Sequence, residues 1–130
     1  MYFKAHSFHW NVEGVHFSQY HDFFGDLYKE LHGAIDPLAE EMRALGSYAP
    51  TTLTEMYSKK TVTEAGIVGN EVRVMLSMLQ EDNEEIIRNL NEAFAMADEA
   101  GEQGLADFLA GRIDCHKKHG WMIRASMKGA

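Results

Sequence analysis

Apolar residues step along this chain by threes and fours in three long runs, the period of a helix with one buried face. The first run is Tyr20, Phe24, Leu27, Tyr28, Leu31, Ile35, Leu38, Met42 and Leu45, which amounts to about seven turns. Gly46 suits the left-handed residue that stops a helix, and Ser47 to Pro50 reads as a loop. The second run, Val72, Met75, Leu79, Ile86, Leu90, Phe94 and Ala97, opens after Gly69 and closes before Gly101, with Asn83 as the polar step on its stripe. The third, Leu105, Leu109, Ile113, His116, Gly120, Ile123 and Met127, carries the helix pattern almost to the end. Met1 to Asn11 is apolar and aromatic enough for a short first helix, stopped by Gly14. Thr52 to Ser58 fits a small helix that Thr52 or Thr54 can cap, with Met56 and Tyr57 facing inward. The strand signal is negligible.

A short helix, a long one, a small connector and two more long helices predict an all-α four-helix bundle. Roughly two dozen residues separate the first two long runs, enough chain to travel the length of a bundle, which a tight hairpin cannot do. A ferritin-like topology with a short helix in the crossover is therefore expected. The 130 residues, 45% hydrophobic and 25% charged, have the composition of one globular domain spanning 1–130. The net charge of −8 argues against a surface built to coat phosphate backbones. No stretch approaches the roughly 20 apolar residues of a membrane span. Cys115 is the one cysteine and cannot close a disulfide within the chain, and no secretory signal pattern opens it, so a cytoplasmic location is expected.

Metal ligands need neutral imidazole or ionised carboxylate on a common face, and the candidates here are His9, His21, Asp36 and Glu40. Asp36 and Glu40 are i, i+4 partners, so both project from one helix face. His21 precedes Asp36 by fifteen residues, about 22 Å along a straight helix, too far for one metal to bridge. Two geometries reunite them. One is a break near Pro37 that folds the chain back. The other, preferred, is a second subunit whose helix runs antiparallel across a twofold axis near the helix centre. Each residue also has a plainer role. Asp36 before Pro37 matches an N-cap followed by proline at the first helical position, Glu40 and Glu41 match a solvated face, and His9 matches a core histidine.

The block His6-Ser7-Phe8-His9-Trp10-Asn11-Val12-Glu13-Gly14, then Phe17 and His21, with Leu27-Tyr28 and Asp36-Pro37-Leu38-Ala39-Glu40-Glu41, resembles the signature of the Dps family, the miniature ferritins of bacteria. The run Trp121-Met122-Ile123-Arg124-Ala125 is similar to that family's last helix. The resemblance implies a dodecameric hollow shell in which twofold-paired subunits share ferroxidase sites. It implies iron(II) oxidation, preferentially with hydrogen peroxide, and ferric storage. It places His9 and His21 from one subunit with Asp36 and Glu40 from its neighbour. Zinc can substitute for iron at donors of this type. The chain departs from the family at Gly25, where an acid is usual four residues after the second histidine. Asp22 and Asp26 lie about 60° and about 100° around the helix from that direction. One well-held metal per site is the expectation, and a shell protein with impaired ferroxidase activity is the alternative. The first helix also starts late, as if shortened at its N-terminus.

Other features have ordinary explanations. Cys115 and His119 stand at i, i+4 with His116 between them, a spacing open to zinc or copper, but packing of the rings is the expected role. His6 is expected to pack or to support His9, and Trp10 to anchor an interface. Asp98, Glu99, Glu102 and Asp107 match a solvated turn; the resemblance would make them an iron-attracting pore. Lys117, Lys118, Arg124 and Lys128 form a small basic cluster, and direct DNA binding is not expected of so acidic a chain.

Overall fold

A computed structural model describes residues 1–66 and 71–129 and contains five helices, with no strand among the described residues. They are α1 (Tyr2–Asn11), α2 (Phe17–Ala44), α3 (Leu53–Lys59), α4 (Val72–Glu99) and α5 (Gln103–Met127). The first three belong to one compact unit and the last two to a second. The expected opening of the fourth helix after Gly69 falls in 67–70, outside the described residues.

α1 packs against α2 through Ala5, Phe8 and Val12, all buried, with the Phe8 ring edge-on to Phe24 at 6.0 Å. The reversal between them needs a residue at positive φ. Gly14 supplies it at +121°, and its carbonyl accepts the Phe17 N–H at 3.0 Å. This turn lays His9 of α1 beside His21 of α2.

α2 runs unbroken through Pro37. Asp36 therefore does not begin a new helix, and no chain reversal occurs near Pro37. The helix ends as its glycine predicts. Gly46 lies at φ +88°, and the Ser47 N–H reaches back to the Met42 carbonyl at 3.1 Å. Its apolar stripe divides in two. Tyr20, Phe24, Leu27 and Leu31 are buried, whereas Ile35, Leu38, Met42 and Leu45 remain 37–49% exposed.

α3 is the small helix expected in the crossover, and Thr52 caps it by accepting the Glu55 N–H at 3.1 Å. The Thr51 N–H and the Lys59 ammonium hold the Glu55 carboxyl below its usual range. The inward orientation expected for Met56 and Tyr57 is not found. Both are exposed, because this short helix buries none of its residues.

α4 and α5 form an antiparallel hairpin whose turn rests on Gly101 at φ +74° and the Glu102 N–H to the Ala97 carbonyl at 2.9 Å. Ala97, Ala106 and Leu109 centre its apolar contact. A polar lock sits farther along. Buried Asn83 donates to the His116 carbonyl at 2.8 Å and accepts from His116 Nδ1 at 2.8 Å, while Arg112 donates to Nε2 at 3.1 Å. Arginine only donates, so Nε2 accepts and the His116 proton sits on Nδ1. Asn83→Leu leaves that proton and the carbonyl buried without their partner, at roughly 1–3 kcal/mol for each group. Urea unfolding should show a stability loss of that size, as a lower midpoint with unchanged slope.

Candidate metal centre

His9 and His21 form a reciprocal clasp. His9 Nδ1 lies 2.7 Å from the His21 carbonyl oxygen, and His21 Nδ1 lies 2.7 Å from the His9 carbonyl oxygen. A carbonyl only accepts, so each Nδ1 carries the proton and, in the neutral ring, each Nε2 keeps its lone pair for a cation. A second nitrogen anchored to a backbone carbonyl is the support that a metal-ligating imidazole requires. The rings stack at 3.8 Å with 21° between their planes, which fixes them further.

Aromatic rings wall this pair. Phe17 stacks on His21 at 5.1 Å, and Tyr28 lies 5.2 Å from His9. His6 stacks flat on Tyr28 at 3.8 Å, meets Trp10 at 4.1 Å, and has its Nδ1 3.0 Å from the Tyr2 hydroxyl. Burial, with the neighbouring His9 and His32, holds the His6 imidazole below its ordinary value, which favours the neutral ring. Tyr28 stands out as a wall residue that the apolar periodicity counts only as core. The signal for its second role is spacing: seven residues after His21 is two helical turns, hence the same face.

Asp36 and Glu40 lie on the exposed half of α2. In projection Asp36 is about 60° around the helix from His21, so the two share a broad face, but they are about 22 Å apart along it. Within one protomer the structure thus brings His9 to His21 and leaves Asp36 and Glu40 apart from them. Among the described residues no group of three or more His, Cys, Asp or Glu is gathered for a metal. His116 and His119 are buried in the α4–α5 unit, and Cys115 is partly buried.

Gly25 is buried on α2, and a Cβ built there would lie 3.1 Å from His9 Nδ1 and 3.2 Å from its Cε1. Helix propensity alone makes replacement of this glycine look favourable by roughly 1 kcal/mol relative to alanine. The structure adds a cost that propensity does not contain, because the His9 ring must give way. Asp22 and Asp26 are exposed.

Known proteins give this geometry a family. A family model described as a ferritin-like domain matches residues 1–128. The DNA protection during starvation protein of Brevibacillus brevis is 34% identical over 128 residues, covering 98% of this chain and 85% of that protein. General stress protein 20U of Bacillus subtilis is 35% identical over 126 residues, covering 96% and 86%. The crystal structure of Dps from Staphylococcus aureus superposes with a TM-score of 0.92 at 34% identity, covering 97% of this chain and 84% of that one. The all-α fold is ferritin-like, and the chain belongs to the Dps family.

Proposed function

We propose that this protein oxidises iron(II) with hydrogen peroxide, or with oxygen, and stores the ferric product inside a hollow homo-oligomer, so limiting oxidative damage in the cytoplasm. The observation that carries this reading is the His9–His21 clasp, two imidazoles with their Nδ1 protons tied to backbone and their Nε2 atoms left for a cation. Asp36 and Glu40 of a second copy supply the carboxylates. A twofold axis near the middle of α2 sets the exposed half of one α2 against the clasp of the other, and the same axis covers Ile35, Leu38 and Met42. Twofold pairs of this kind build the dodecamer that the family resemblance implies.

The chemistry balances simply. Two iron(II) ions each give one electron to peroxide, its O–O bond breaks, and two protons are taken up as two waters form. His9 and His21 hold the substrate iron as neutral donors, and Asp36 and Glu40 offset the charge that grows as iron(II) becomes iron(III). Zinc fits the same donors and would compete. The charge of −8 favours cation approach and disfavours phosphate, so direct DNA contact forms no part of this reading.

Gly25 favours a second reading, a shell or metal-binding protein with weak ferroxidase activity. Stopped-flow iron(II) oxidation separates the two. Saturable oxidation under peroxide, lost in Glu40→Ala, supports the enzyme. Oxidation no faster than in buffer leaves the second reading.

A further inference from the structure

The α2 position aimed at the His9 ring has no side chain. A Cβ at residue 25 would point onto His9 Nδ1 and Cε1 at 3.1 and 3.2 Å, so any donor placed there would stand beside the imidazole. The neighbouring acids Asp22 and Asp26 face solvent, and no third metal-binding side chain joins the two histidines among the described residues of the protomer. Each clasp therefore brings two nitrogen donors and no carboxylate of its own.

We propose that Gly25 makes this a nitrogen-weighted site for a single borderline divalent cation of the zinc or cobalt kind, by leaving the α2 position that faces His9 empty of a carboxylate. The proposal rests on the reading that His9 and His21 are ligands. Imidazole suits borderline cations, while carboxylates suit hard ones such as manganese(II) and add the charge and bridging that a second cation needs. Two carboxylates arriving from a second copy balance one divalent ion. They do not balance two. Gly25 thus acts on which cation is held and on how many, separately from the turnover of iron.

The test uses the assembled protein with cobalt(II), followed by its visible absorption and by calorimetry, and with manganese(II), followed by electron paramagnetic resonance. One cobalt per His9–His21 pair is expected in the natural protein. Gly25→Ala, whose methyl group displaces the His9 ring but brings no donor, is the steric control: it should weaken cobalt binding without admitting a second cation or favouring manganese. Gly25→Asp should raise manganese affinity relative to cobalt by about tenfold, the scale on which groups around a metal site change affinity, or admit a second cation. Two cations of similar affinity per pair in the natural protein overturn the proposal. So does a folded Gly25→Asp with unchanged stoichiometry and preference. If Gly25→Asp does not fold, the stoichiometry of the natural protein and of Gly25→Ala still decides. His21→Ala separates the two levels of inference: cobalt bound as in the natural protein would show that the ligand assignment itself fails.

Discussion

Replacing His21 by alanine is expected to weaken zinc and anaerobic iron(II) binding by at least about 100-fold, near 2.8 kcal/mol, while helix content stays as it is. On the proposed ligand set, the change removes one donor nitrogen and also damages the other. His9 loses the ring stacked on it at 3.8 Å, and its own carbonyl loses the proton that His21 Nδ1 donates. A ligand left to swing gives up the preorganisation that makes two imidazoles bind better than one. Gln at this position keeps a polar side chain but not the paired Nδ1 proton and Nε2 lone pair, so it should not restore binding. Calorimetric titration of both variants checks this, and titration curves matching the natural protein would contradict the assignment.

An equally large loss is expected from a residue that touches no metal. Leu38 lies in the exposed apolar half of α2 with Ile35, Met42 and Leu45. Burying a leucine is worth about 1.5–3 kcal/mol, and a twofold interface counts every substitution twice. Leu38→Lys also places a charge where an apolar partner is expected. The variant should fall apart to smaller species by sedimentation velocity at micromolar concentration and should lose tight metal binding, although His9, His21, Asp36 and Glu40 are all still present. Intact metal binding in a demonstrated monomer would count against a shared site.

How the fold and site could be read from the chain depended on what each signal measures. Helix type and most boundaries were legible because periodicity and glycine stops are local: Gly14, Gly46 and Gly101 each take the positive φ that the stops require. The continuity of α2 through Pro37 was not legible, since Asp36-Pro37 is an equally good start to a new helix. Periodicity also cannot say what covers an apolar stripe. It ran evenly from Tyr20 to Leu45, yet the protomer buries only the first half of it. For the site, the His9 and His21 spacing marked the pair, but the reciprocal hydrogen bonds and the Tyr28 wall depend on the tight turn at Gly14 and appear only in three dimensions. The consequence of Gly25 was half legible: the missing acid was visible, and the closeness of the His9 ring was not.

Mixing two damaged proteins tests most directly whether two copies share each metal site, as proposed. His21→Ala lacks one half of the site and Glu40→Ala lacks the other, so neither alone should bind zinc tightly or oxidise iron(II). In a mixed twofold pair, one of the two sites combines both defects and the other has neither. Random reassembly of equal amounts should therefore restore about a quarter of the natural number of sites, at natural affinity. Recovery near that fraction is the predicted result. No recovery, in a sample where tagged protomers prove that mixed pairs have formed, would contradict the shared site.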